Sequence, residues 1–222
     1  QYVTGTARFF GRDYVVNPHV LIPRPETEVL CKTILSAYNQ PYCALQPPVP
    51  LRVLDIGTGS GCIAVTLALD LWNSSVSAWD ISGEALLTAR ENAHRLQAQV
   101  NFEWHDVLSL DEAALAATPF DIIVSNPPYV CDRERKDMTE QVLAHEPHTA
   151  LFVPDNDPLL FYRAIADYGI THLNPHGLLA FEINPLFAKE MCEMLESKGY
   201  EQVEVKTDQY GKERVVIGVA RQ

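Results

Sequence analysis

Leu51-Arg52-Val53-Leu54-Asp55-Ile56 runs straight into Gly57-Thr58-Gly59-Ser60-Gly61-Cys62, an apolar stretch ending in a glycine-rich turn. The run at 51–56 suits a strand buried on both faces, and the turn opens a helical stretch at 61–71. Glycine lets bare backbone approach a ligand, and a helix start offers it free N–H groups. A dinucleotide fingerprint needs G-x-G-x-x-G. Here the spacing is G-x-G-x-G and Cys62 stands where the third glycine belongs, so NAD is disfavoured.

Outward from this turn the pattern is regular. Further strand-like runs fall at 75–80, 99–104, 120–125 and 177–183, separated by helical stretches at 82–96, 110–117, 158–173 and 185–198. Such alternation predicts an α/β fold with a Rossmann-like, mostly parallel sheet and right-handed crossovers. Runs at 200–206 and 213–220 meet at Asp208-Gln209-Tyr210-Gly211 without a helix, predicting an antiparallel pair that completes seven strands. Upstream, residues 6–16 read as a β-hairpin turning at Gly11-Arg12-Asp13, Ile22-Pro23-Arg24-Pro25 as a stiff loop, and 26–38 as a helix. Prolines at 41, 47, 48 and 50 mark a linker. The expected organisation is 1–40 as hairpin, loop and helix, 41–50 as linker, and 51–222 as the catalytic domain.

Ligands of open α/β sheets sit at the carboxyl ends of the strands, and four consecutive strands deliver suitable residues there. The glycine loop follows the first. Asp80 ends the second, where an acceptor-only side chain takes ribose hydroxyl protons, although capping the helix at Ser82 is an alternative use. Asp106 follows the third and can accept from an adenine amino group. After the fourth, Phe120-Asp121-Ile122-Ile123-Val124-Ser125, comes Asn126-Pro127-Pro128-Tyr129. Two prolines hold that loop rigid and aim the Asn126 side chain and the Pro127 carbonyl outward, with Tyr129 available to stack. Two acceptors and an aromatic face suit a planar N–H₂ group. Alone, the tetrapeptide also fits an ordinary strand-to-loop stop.

Composition narrows the classes. Of 222 residues, 17 are basic and 29 acidic, a net charge of −12, which supplies no global field for a polyanion. No apolar run reaches the roughly 20 residues of a membrane span. The five cysteines, Cys31, Cys43, Cys62, Cys131 and Cys192, form no C-x-x-C pair, which speaks against a disulfide framework or zinc cluster and for a reducing, cytoplasmic setting. The chain opens on Gln1 directly before strand-like sequence, and the expectation is that something upstream was removed.

Together these residues make the chain similar to the class I S-adenosylmethionine-dependent methyltransferases, and within them it resembles the PrmC/HemK family of protein-(glutamine-N5) methyltransferases. The resemblance spans nearly the whole chain: Phe9-Phe10-Gly11, Leu21-Ile22-Pro23-Arg24-Pro25-Glu26-Thr27-Glu28, Asp55 to Gly61, Val124 to Tyr129, Glu146-Pro147 ahead of Ala150-Leu151, and Arg214. Asn-Pro-Pro-Tyr alone is shared with adenine-N6 DNA and some guanine-N2 RNA methyltransferases. The Ile-Pro-Arg-Pro-Glu-Thr-Glu loop makes it specific.

What the resemblance implies is methyl transfer from S-adenosyl-L-methionine to the glutamine of the Gly-Gly-Gln motif in peptide chain release factors. It assigns the cofactor to Asp55, Gly57, Thr58, Gly59, Ser60, Gly61, Asp80, Ile81, Asp106, Val107 and Asn126. Catalysis falls to Asn126, Pro127 and Tyr129, and substrate binding to these with Pro128 and Arg24. Phe102, Trp104 and Tyr129 are expected to line a cleft for the sulfonium cation. Two departures stand out: relatives carry a helical domain before the hairpin, absent here, and some have an aromatic residue where Val107 stands. No metal, membrane or direct nucleic-acid partner is expected. His145-Glu146-Pro147-His148 reads as a loop contact rather than a metal site, because the proline breaks any helix that would align the histidines. Asp132 to Asp137 reads as a solvated, mixed-charge face, and 130–157 as a loop over the site. Arg24 serves equally as a structural ion-pair partner or in closing the cleft. A nucleic-acid amino methyltransferase and a non-catalytic scaffold are the competing functions.

Overall fold

Residues 4–39, 49–137, 146–147 and 150–221 are described by the computed structural model. The central strand is β3 (Leu51–Ile56), whose last four residues are all buried, as a strand covered on both faces requires. Counting from the amino terminus, β1 (Thr6–Phe9) and β2 (Arg12–Val15) form the hairpin and α1 (Thr27–Tyr38) leads into β3. Then come α2 (Cys62–Asp70), β4 (Ser74–Asp80), α3 (Gly83–Leu96), β5 (Val100–Trp104), α4 (Glu112–Leu115) and β6 (Phe120–Ser125). Short strands β7 (Val130–Cys131) and β8 (Phe152–Val153) precede α5 (Leu160–His172), β9 (Leu173–Glu182), α6 (Ala188–Ser197), β10 (Glu201–Thr207) and β11 (Glu213–Val219).

Seven strands make one sheet in the order β10-β11-β9-β6-β3-β4-β5. β9, β6, β3, β4 and β5 run parallel, and β11 lies antiparallel between β9 and β10, as the sequence predicts. Because side chains alternate along a strand, Val53 and Ile122 face one core with Leu30, Ile34 and Leu67, while Leu54 and Ile123 face the other with Ile165, Phe181 and Met191. Two covered faces leave ligands only the strand ends. From β3 the chain winds to β4 and β5 on one side and to β6 and β9 on the other, so the crevice opens at the carboxyl ends of β3 and β6.

The hairpin turn departs from expectation. Phe9 pairs with Arg12, leaving Phe10-Gly11 as the turn, with φ of 49° and 77°. Positive φ at both central residues gives the twist that two-residue hairpins need, and Glu28 secures the unusual Phe10 by accepting from its N–H at 3.0 Å. Arg12 therefore belongs to β2, where it makes a bidentate pair with Asp70. Asn92, fully buried on α3, accepts from the Val15 N–H and donates to the carbonyls of Val15 and Ser60, so the hairpin is fastened to the same helix that backs the glycine loop.

Elsewhere the differences are local. The stretch at 110–117 contracts to one turn capped by Asp111, and 185–198 begins with a 3₁₀ turn at Pro185–Phe187. β9 starts four residues early because Leu173 pairs with Phe120 across a bulge. The segment after β6 is not structureless: β7 and β8 pair in parallel, and 132–137 is a 3₁₀ helix whose Glu134 accepts from the Cys131 N–H and from Asn184, which a purely solvated face would not do. Most of the linker, with Cys43, and both histidines of the His145–His148 motif lie outside the described residues. Among the described residues no helix is long and apolar enough to cross a membrane.

Candidate active site

The glycine loop turns through left-handed backbone, which favours glycine. Gly57, Gly59 and Gly61 have φ of 74°, 56° and 79°. The N–H groups of Gly57 and Thr58 both donate to the Trp79 carbonyl, at 2.8 and 3.0 Å, tying the loop to the end of β4. Beneath it Asp55, fully buried, accepts from the Thr58 hydroxyl and the Ala64 N–H through Oδ2, at 2.7 and 3.2 Å, while Oδ1 makes no hydrogen bond. Burial pushes the Asp55 carboxyl up to about 7, against the Thr58 and Ala64 bonds. A Cβ at Gly57 or Gly59 would meet open space, whereas one at Gly61 would lie 3.0 Å from the Ala89 Cβ. The first two glycines thus leave bare backbone facing a space, and the third lets α2 pack on α3.

That space is a cleft of about 390 Å³. Gly57 to Ser60, Asp80, Ile81, Asp106, Val107, Asn126, Pro127, Pro128 and Arg24 all line it; Asp55 and Gly61 stand behind the loop. Asp80 has both carboxylate oxygens on backbone N–H groups. Oδ2 accepts from the Gly59 N–H at 2.8 Å, and Oδ1 from the N–H of Ser82, the residue that caps α3. Burial raises its pKa, opposed by these N–H groups. Each oxygen keeps a lone pair for a ligand. Asp106 sits at the next strand end with Oδ1 on the Leu108 N–H. Carboxylates beside the apolar Ile63, Ile81, Val107 and Ile165 suit a ligand with hydroxyls, a flat ring and a positive charge.

Asn126 enters from the other side. The Ser125 hydroxyl donates to the Ile56 carbonyl at 2.6 Å and locks the ends of β6 and β3 together. Asn126 Nδ2 donates to Thr27 Oγ1 at 3.4 Å, and among the described residues neither its Oδ1 nor the Pro127 carbonyl accepts a hydrogen bond. Asn126 and Pro127 thus bring two acceptors, unpaired among the described residues, to the lining that Asp80 and Asp106 share.

The sequence was compared with known proteins. The profile of the methyltransferase small domain matches residues 43–152. The release factor glutamine methyltransferase of Bacteroides thetaiotaomicron is 49% identical over 97% of this chain and 74% of its own length. That of Flavobacterium psychrophilum is 45% identical over 97% and 73%. This chain belongs to the release factor glutamine methyltransferase family. A solved release factor-specific protein-(glutamine-N5) methyltransferase from Alicyclobacillus acidocaldarius matches 94% of this chain and all of its own, with 27% identity and a TM-score of 0.56.

Within this family frame, several side chains stand elsewhere than expected. Tyr129 turns away from the cleft and donates to Glu182 Oε1 at 3.0 Å. Phe102 packs in the core under Arg90, and Trp104, 56% exposed, donates to the Ile81 carbonyl outside the lining. The rings that do line the cleft are His19, His105, Phe152 and Phe161. His105 is buried against Trp79, ring centroids 4.4 Å apart, with Nδ1 3.2 Å from Asp111. Arg24 lines the cleft and pairs with Glu146 at 2.5 Å, the structural ion pair that was one of its two expected uses. Glu146 is 5% exposed, and burial raises its pKa against the pull of Arg24. Its neighbours Pro147, Ala150 and Phe152 reach the lining, so part of 130–157 lines the cleft. Among the described residues no group of histidine, cysteine and acidic side chains is arranged to hold a metal.

Proposed function

We propose that this protein transfers the methyl group of S-adenosylmethionine to the side-chain amide nitrogen (N5) of the glutamine in the Gly-Gly-Gln motif of peptide chain release factors. The observation that carries the reading is the pair of acceptors unpaired among the described residues, Asn126 Oδ1 and the Pro127 carbonyl, on residues that line the same cleft as Asp80 and the glycine loop in a member of this family.

S-adenosylmethionine, when bound, supplies an electrophilic methyl on a positively charged sulfur. The open space at Gly57 and Gly59 and the acceptor-only side chains at the strand ends fit its amino-acid portion and its adenosine. Asp80 would accept from the ribose hydroxyls, Asp106 from the adenine amino group, and Ile81 and Val107 would pack on the ring. Asp55 holds the loop from behind through Thr58. On the substrate side a carboxamide nitrogen is a poor nucleophile, because its lone pair is delocalised into the carbonyl. Asn126 Oδ1 and the Pro127 carbonyl each accept one N–H, which positions the nitrogen and favours the pyramidal form with developing positive charge. As the new C–N bond forms the S–C bond breaks, and the surplus proton leaves the nitrogen for water once it has become acidic. No strong base is required.

We assign residues 51–222 to methyl transfer and 1–40 to a hairpin and helix fastened onto it through Asn92, Tyr14 and Arg12. The described cysteines are all free thiols, which supports a cytosolic setting. The test is to incubate the protein with radiolabelled S-adenosylmethionine and, separately, a purified release factor, ribosomal RNA and duplex DNA. Label in the release factor alone supports the reading; label in nucleic acid overturns it.

A further inference from the structure

The Asn126–Tyr129 motif divides in the fold. Asn126, Pro127 and Pro128 line the cleft, while Tyr129 lies outside the lining with its ring packed against the core that holds Phe181 and Ile183. A ring placed in a core needs a partner for its hydroxyl, and Tyr129 donates to Glu182 Oε1 at 3.0 Å. Burial, and after it the charge of Glu182, push the phenol well above its ordinary range, so it keeps the proton it donates.

The main chain of the same residue is held as well. Asn184, 6% exposed, donates from Nδ2 to the Tyr129 carbonyl at 3.2 Å and to Glu134 Oε2 at 3.1 Å, and its Oδ1 accepts from the Leu186 N–H at 3.1 Å. These partners leave its amide one orientation: turned over, it would set oxygen against a carbonyl and a carboxylate and N–H₂ against an N–H. The two gripping residues are themselves fixed at the end of β9. Glu182, 2% exposed, accepts at its backbone carbonyl from the Tyr162 phenol at 3.0 Å, and the Ile183 N–H between them donates to the Arg214 carbonyl at 2.9 Å.

At the other end of the motif the Ser125 hydroxyl holds β6 to the Ile56 carbonyl of β3. Between the two fixed ends stand Pro127 and Pro128, whose rings lock their own φ angles. A segment pinned at both ends and stiff in the middle holds its reacting groups in place before substrate arrives. We infer that Glu182 and Asn184 grip Tyr129 by its hydroxyl and its carbonyl and so set the position of Asn126 and the Pro127 carbonyl, making Tyr129 a positioning residue rather than a ring that stacks on the substrate; this rests on the reading that Asn126 and Pro127 hold the substrate amide.

Tyr129→Phe keeps the ring and loses the hydroxyl; Asn184→Asp keeps the acceptor for Leu186 and loses the N–H₂. With a release factor as substrate each should lower kcat about three- to tenfold, the range of one net hydrogen bond, with the KM for the release factor and for S-adenosylmethionine little changed. Glu182→Met should do the same, and Glu182→Gln, which keeps an acceptor, should recover most of that rate. In a Glu182→Met background Tyr129→Phe should lower kcat no further, since its hydroxyl has already lost its acceptor. Unchanged kcat in Tyr129→Phe, a raised KM for the release factor in place of a lowered kcat, or an equal loss in both backgrounds overturns the anchor. A readout without catalysis is hydrogen exchange followed by mass spectrometry. The peptide covering 124–131, measured relative to the one covering β3, should exchange about three- to tenfold faster in Tyr129→Phe and Asn184→Asp than in wild type. Unchanged exchange there would overturn the anchor whatever the enzyme methylates. A wild-type protein that methylates no release factor would overturn the functional reading instead.

Discussion

Asp80 Oδ2 accepts a hydrogen bond from the Gly59 N–H at 2.8 Å, so the carboxylate that ends β4 holds in place the glycine loop that follows β3. Removing it takes away a ligand acceptor and a loop anchor at once. Asp80→Ala should weaken binding of S-adenosylmethionine by roughly ten- to a hundredfold, the range for hydrogen bonds to a charged acceptor. Isothermal calorimetry gives the answer, and unchanged affinity would remove Asp80 from the cofactor site.

Asn126 is expected to act on the other partner. Asn126→Ala should lower turnover by about 10²–10³, as loss of one preorganised polar contact to a transition state does, with a much smaller change in cofactor affinity. Equal losses of rate and of cofactor affinity would reassign it to the cofactor pocket. Asn126→Asp keeps an acceptor but places a charge beside the sulfonium, and its cofactor affinity should differ from that of the alanine variant.

Position alone distinguishes the glycines. Gly57 and Gly61 share a left-handed backbone, but only Gly61 faces a neighbour, with the Ala89 Cβ at 3.0 Å and its Cα at 3.2 Å. Gly57→Ala should lose about 1–2 kcal/mol of stability for the backbone conformation. Gly61→Ala should lose a further 1–3 kcal/mol or so, because a backbone atom of Ala89 cannot swing aside. Urea unfolding of the two variants makes the comparison, and equal losses would contradict it.

Much of this site was legible in the sequence, for a physical reason. Strands buried on both faces have nearly continuous apolar runs, so 51–56 and 120–125 matched β3 and β6 residue for residue, and whatever follows such a strand must face the ligand edge. Asp80, Asp106 and Asn126 were found that way. Side-chain direction was harder. Phe102 and Trp104 lie two apart on a short edge strand, yet one packs under Arg90 and the other lies outside on the Ile81 carbonyl. The hairpin turn was misplaced because phenylalanine rarely takes positive φ, and here Glu28 holds it there. Glu182 went unnoticed because only folding brings the end of β9 to Tyr129 in the loop after β6. The available signal was an acidic residue closing the apolar run Leu178–Phe181.

Asp55 should leave a mark on stability against pH. Its folded pKa, about 7, lies above the unfolded value near 3.9, so folding takes up a proton between those limits. For a carboxyl raised in this way the stabilising side is the acidic one: its contribution falls as pH rises from about 4 toward 7. The proton belongs on Oδ1, the oxygen without a partner, and an amide N–H₂ could stand there. The stability of wild type relative to Asp55→Asn should therefore increase as pH is lowered from about 8 to about 5, by at most about 1.4 kcal/mol per unit. A difference independent of pH would show that Asp55 does not titrate in that window.

The central claim is that the cleft presents a carboxamide nitrogen to the methyl donor, and the position of the transferred methyl tests it most directly. A release factor is incubated with the protein and S-adenosylmethionine carrying a deuterated methyl group, digested, and sequenced by tandem mass spectrometry. The account predicts a single added methyl on the glutamine of the Gly-Gly-Gln peptide, with the mass carried by the side-chain amide. A methyl on any other residue, or on a carboxylate or lysine, would contradict the arrangement of Asn126 and the Pro127 carbonyl proposed here.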